Sequence, residues 1–136
     1  MEFYKTKASK LSGTSYEEVY KHAREVMDVI KHWTKRKPYV RSAYFNKQKV
    51  FFDNFWVHMS QKSPRERTRR LSFFACAVDL VKNNRYHPST EENPNKKAEL
   101  LHRFKGVTKA EEKFYVQIKE NKRTGTKQLM SVFPGK

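Results

Sequence analysis

An imidazole, two cations, a phenol and a hydroxyl fall in the last third of the chain at spacings that suit metal-free phosphodiester chemistry. They belong to His102, Arg103, Lys119, Tyr115 and Ser131. Imidazole titrates near neutral pH, so it can take the proton of a ribose 2′-hydroxyl or return one to the leaving oxygen. Arg103 and Lys119 would stabilise the charge that grows on the phosphorane, and Tyr115 or Ser131 would orient the phosphate by hydrogen bonding. The other histidines, His22, His32, His58 and His87, form no HExxH pair and no cluster with Asp or Glu. No metal and no cofactor is therefore expected. The plain alternative is that these polar residues are the solvated side of an alternating sheet.

The elements that must carry these groups are short runs of period two. Leu100–Phe104, Phe114–Lys119 and Leu129–Phe133 alternate as strands do. Lys109–Lys113 and Asn121–Gly125 would connect them, with Gly125 free to take positive φ. On the middle strand Tyr115, Gln117 and Lys119 share one face, opposite Phe114, Val116 and Ile118. Local twist decides whether His102 points with Phe104 or against it.

Ahead of the strands the apolar period lengthens to that of helices. Ser15 and Glu18 match a capping box, followed by Tyr16, Val19, Tyr20, Ala23, Val26, Met27, Ile30 and Trp33 in one stripe that Pro38 ends. Tyr39–Tyr44 suits an extended segment. From about Lys47 to Met59 the positions Val50, Phe51, Phe55, Trp56 and Met59 suit a second helix. Phe52 falls off that stripe, so a short strand over Lys49–Phe52 stays open. Ser63, Pro64 and Glu66 start a third helix that faces inward through Leu71, Phe74, Ala75, Val78 and Val81 and closes at Asn83-Asn84. Residues 85–97, with Pro88 and Pro94, suit a loop. The expected fold is α+β: three N-terminal helices (14–84) packed on a C-terminal three-stranded antiparallel meander (98–134). A single domain, 1–136, is expected, with 1–13 a loosely ordered basic lead-in.

Charge narrows the partner. Thirty Lys and Arg against fourteen Asp and Glu give +16 in 136 residues. Self-repulsion on that scale costs stability, and neutralising phosphates with release of their counterions is the usual function that offsets it. Two clusters stand out. Lys35, Arg36, Lys37 and Arg41 are interleaved with Trp33 and Tyr39, and Arg65, Arg67, Arg69 and Arg70 crowd the start of the third helix. Arginine forks suit phosphate and aromatic rings stack on unpaired bases, so RNA or single strands fit better than duplex DNA. Cys76 is the only cysteine, which excludes an intrachain disulfide and a four-cysteine zinc site. No apolar run approaches the ~20 residues that cross a bilayer. The N-terminus lacks a signal-peptide pattern, so a cytoplasmic protein without membrane contact is expected.

His102-Arg103-Phe104-Lys105-Gly106, Phe114 to Lys119 and Met130-Ser131-Val132-Phe133-Pro134 together resemble the phage-associated branch of the barnase–EndoU–colicin–RelE nuclease superfamily. The resemblance covers about the last third of the chain. It implies helices ahead of an antiparallel sheet, metal-independent ribonuclease activity of toxin type, and a site lined by His102, Arg103, Tyr115, Lys119 and Ser131. It also implies an acidic antitoxin or inhibitor as a protein partner. The aromatic-rich segment 39–83 has no counterpart in that pattern. Three functions are thus expected from the sequence: a toxin-type endoribonuclease, a non-catalytic RNA- or single-stranded-DNA-binding protein whose clusters only grip phosphates, or a basic protein that binds an acidic protein partner.

Overall fold

The computed structural model describes residues 2–135, which form four helices and a seven-stranded, mixed, curled sheet. In chain order these are β1 (Tyr4–Lys5), α1 (Tyr16–His32), β2 (Tyr39–Ser42), β3 (Gln48–Phe51), α2 (Asp53–Ser60), α3 (Pro64–Leu71) and α4 (Phe74–Asn83). Then follow β4 (Ser89–Asn93), β5 (Lys96–Val107), β6 (Lys113–Asn121) and β7 (Lys127–Pro134). The sheet runs β1-β5-β6-β7-β3-β2, with β4 on the same edge of β5 as β1. The class remains α+β, but three helices on a three-stranded meander is incorrect. The meander β5-β6-β7 exists as the centre of a wider sheet, extended on both sides by strands from the N-terminal two thirds.

Each departure has a physical cause. α1 starts as its capping box dictates, with Ser15 Oγ accepting from the Glu18 amide, and buries Val19, Ala23, Met27 and Ile30. It ends at His32 instead of running to Pro38, and Trp33 leaves the core face. The second helix is half replaced by the β2–β3 hairpin. Phe51 ends β3, and α2 begins only at Asp53, so Phe52, which did not fit the helical stripe, is the hinge between them. The third helix is two helices. α3 offers the core only Leu71, whereas α4 buries Phe74, Cys76, Ala77, Val78, Leu80 and Val81. A straight rod could not point both sets inward, and the chain turns at Phe73, whose N–H reaches the Arg70 carbonyl. Residues 85–97 hold an edge strand, Ser-Thr-Glu-Glu-Asn, nearly all exposed. With nothing to bury, its sequence carries no alternation.

The lead-in is tied down as well. β1 pairs in parallel with Gly106 and Val107, and the Asp79 carboxylate of α4 accepts from the Tyr4 hydroxyl (2.7 Å) and the amides of Lys7 and Ala8 (2.6 and 3.0 Å). Burial followed by the bond to Asp79 pushes the Tyr4 phenol up to about 12. Burial alone would raise Asp79, but the Ala8 amide, Tyr4, Asn83 and the Lys7 amide together hold it below the ordinary carboxylate range. Both signs follow. Tyr4 is raised, so its contribution is full below pH ~10 and is lost as pH climbs towards 12; Asp79 is lowered, so its contribution is present above pH ~4 and fades in acid. Asp79→Ala orphans a hydroxyl and two amides and is expected to cost about 2–4 kcal/mol. Urea unfolding at pH 7 checks this, and the deficit should shrink near pH 3.

Candidate nucleic-acid interface

The β2–β3 hairpin carries the strongest candidate. An open groove of about 590 Å³ lies along it, with Trp33, Tyr39 and Phe51 as aromatic walls and Lys35, Arg36, Lys37 and Lys49 as cations. Trp33 is 78% exposed, an unusual position for the largest apolar side chain unless something covers it. Tyr39 and Phe51 face each other across the ladder, centroids 5.9 Å apart and edge to face. The Lys49 ammonium lies 4.7 Å from the Tyr39 centroid and the Arg41 guanidinium 5.5 Å, so cations flank a ring whose face can accept a base. Among the described residues only Lys37 of these cations meets a carboxylate, Asp53 at 3.4 Å, and that pair is exposed. Lys35, Arg36, Lys37 and Arg41 are expected from the sequence as binding residues; the first three line the groove and Arg41 lies over its Tyr39 wall. Lys49 and Phe51 do not stand out in the sequence, where the apolar spacing around β3 favours a helix.

Arg41 leads on to a second concavity of about 510 Å³, lined by Arg41, Lys47, Lys82 and Arg85, with Asn46, Asn83 and Ala43 completing it. Among the described residues four cations share it and no acid lines it. Its wall is a tight turn, Phe45–Gln48, closed by the Gln48 amide on the Phe45 carbonyl (3.0 Å). Asn46 and Lys47 both take positive φ, 55° and 65°. Glycine is usual at the second of these positions, and a lysine there costs roughly 1–2 kcal/mol. Its carbonyl in turn accepts from Arg41 Nη1 at 3.0 Å, which fixes the guanidinium. Neither Lys82 nor Arg85 stood out in the sequence. They are close to Lys47 only because α4 packs beside β2.

The second expected cluster is dispersed by its helix. Arg65 and Arg69 are exposed, Arg67 lies over the Tyr16 ring (5.2 Å), and Arg70 donates to Glu66 (2.8 Å) while lying 5.8 Å from the Phe133 centroid. The bond from Arg70 and the nearby cations hold the Glu66 carboxyl below its ordinary value, so this cluster partly neutralises itself.

The five residues expected to catalyse divide between the two faces of the sheet. Arg103, Tyr115, Lys119 and Ser131 lie on one side. Arg103 reaches Gln117 (3.4 Å) and lies over Phe133, Tyr115 stacks on Phe133 (5.4 Å), Lys119 pairs with Glu99 (3.5 Å), and Ser131 is buried beside Gln117. His102 points to the other side with Phe104 and Ile118 and is 7% exposed. Both its nitrogens are occupied: Nδ1 shares a hydrogen with the Thr90 hydroxyl (2.8 Å) and Nε2 bonds Glu120 (2.8 Å). Glu120 faces the buried Lys127 ammonium (3.8 Å), which also donates to Gln48 (2.5 Å) and the Gly125 carbonyl (2.9 Å). The network thus fastens β4, β5, β6, β7 and the start of β3 to one another. His102→Ala is expected to cost about 2–4 kcal/mol by leaving a cavity and an under-paired Glu120. Thermal unfolding reads that loss, and affinity for nucleic acid in the folded fraction should not change.

Among the described residues no three of His, Cys, Asp and Glu gather as a metal would need. No helix among them is long and apolar enough to cross a membrane. Protein-family models, curated proteins and solved structures yield no match to this chain.

Proposed function

We propose that the protein binds single-stranded nucleic acid, RNA foremost, in the basic–aromatic groove along β2 and β3. The observation that carries the reading is the exposed Trp33 opposite the Tyr39–Phe51 pair, amid four cations of which one is paired. Unpaired bases stack on such rings at about 1–3 kcal/mol each, while the lysines and arginines follow the backbone. A duplex hides its base faces and gains only the charge term. The toxin-type ribonuclease reading rests on the resemblance of the C-terminal strands; against it, His102 offers no nitrogen to a substrate.

Fluorescence anisotropy with labelled ten-nucleotide RNA, its DNA counterpart and a duplex tests the proposal. Single strands should bind at least about tenfold tighter than duplex, and Trp33→Ala with Tyr39→Ala should remove most of that preference. The logarithm of affinity should fall with that of salt at a slope near −3, about 0.7 for each of four to five phosphates. A salt-independent affinity, or equal binding of duplex, would defeat the reading. RNA cut in EDTA by the wild type but not by a folded His102→Ala variant would instead restore the ribonuclease.

A further inference from the structure

We infer that the pocket between the β2–β3 turn and the end of α4 receives a terminal phosphate, so that the protein holds a strand by one end. This rests on the strand-binding reading of the neighbouring groove and goes beyond it. The two concavities meet at Arg41, which lines the pocket and lies over the Tyr39 ring of the groove. Their chemistry nevertheless differs. The groove has three aromatic walls and can stack bases; the pocket has no aromatic lining and offers Arg41, Lys47, Lys82 and Arg85 with the Asn46 amide. A ligand group that fits there carries charge and acceptor oxygens but no base.

A phosphomonoester at a strand end meets that description better than an internal diester, because it has a second negative charge and three free acceptor oxygens. Four cations in one concavity repel one another, and among the described residues no lining carboxylate relieves them. Asp79, one turn back on α4, is taken up by Tyr4, Asn83 and the amides of Lys7 and Ala8. Two features fix the receptor in advance. Arg41 is held by the Lys47 carbonyl, and the Asn46-Lys47 turn keeps a conformation that lysine does not favour. From the Tyr39–Phe51 pair to the turn is three ladder steps, about 10 Å, so a strand whose end phosphate enters the pocket has its first bases at the aromatic walls.

The test uses one eight-nucleotide RNA, internally labelled, with hydroxyl ends, a 5′-phosphate or a 3′-phosphate, read by anisotropy at constant salt. One of the two phosphorylated strands should bind about tenfold tighter than the hydroxyl-ended strand, the effect of one further set of charge-assisted hydrogen bonds. The Lys82→Ala/Arg85→Ala double variant, confirmed as folded by circular dichroism, should abolish that ratio and weaken the hydroxyl-ended strand by no more than about threefold. Trp33→Ala should weaken all three strands and keep the ratio. Equal affinity for the three strands overturns the end-phosphate site and leaves the groove standing, whereas no binding by any strand overturns both. Inorganic phosphate that erases the ratio at micromolar concentration would also overturn the strand-end assignment, because the pocket would then serve a free anion.

Discussion

Replacing Lys35, Arg36 and Lys37 together by glutamate is expected to weaken binding of single-stranded RNA by at least about a hundredfold at 0.1 M salt. Each lysine or arginine that neutralises a phosphate adds a counterion-release contribution, and each glutamate then repels the same phosphate. The slope of log affinity against log salt should become shallower by about 2, three contacts at 0.7 each. Stability should scarcely change. All three side chains are exposed, and the one ion pair lost, Lys37 with Asp53, is exposed and worth under about 1 kcal/mol. A triple variant that binds as tightly as the wild type would move the interface elsewhere, with the arginines of α3 and the Arg70–Phe133–Arg103 face next in line.

Gly106→Ala is expected to destabilise the fold through the addition of a single methyl group. Gly106 lies on β5 where the sheet meets α4, and an added Cβ would stand 2.6 Å from Phe114 Cε1 and 2.9 Å from Leu80 Cδ1. Phe114 is fully buried and stacked on Phe73, so its ring has nowhere to retreat. Overpacking of this kind costs about 1–3 kcal/mol, and the urea midpoint should fall with no change in slope. The cause can be isolated. In a Phe114→Leu background the smaller side chain makes room, and the cost of Gly106→Ala should drop by at least half. An unchanged cost would mean that the strain lies in the β1–β5 pairing and not in the aromatic contact.

The surroundings of His102 show how alternation can be legible and still leave a side chain's partners unread. Period two correctly separates Tyr115, Gln117 and Lys119 from Phe114, Val116 and Ile118. Strand pairing settles what alternation left open: His102 points with Phe104, on the inward side, and Arg103 with Gln117 on the outward one. A histidine beside an arginine in sequence is therefore across the sheet from it. What occupies the imidazole, Thr90 on one nitrogen and Glu120 on the other, comes from a polar edge strand and from the end of β6. No local pattern announces either partner.

Charge, the capped start of α1, the capped start of α3 and the three C-terminal strands were determined by the sequence alone. Those features depend on neighbours within a few residues: Ser15 on Glu18, Ser63 on Glu66, and alternating side chains that need one apolar side. Tertiary structure decided the rest. It broke one long apolar stripe at Phe73 so that α3 and α4 could each face inward, and it made β3 a strand because β7 offers it a parallel partner. It also brought Lys47, Lys82 and Arg85, distant in sequence, to one concavity beside the groove of Trp33 and Tyr39. Burial and pairing between distant segments set those outcomes, and their free energy depends on the whole chain's packing instead of on any short window of it.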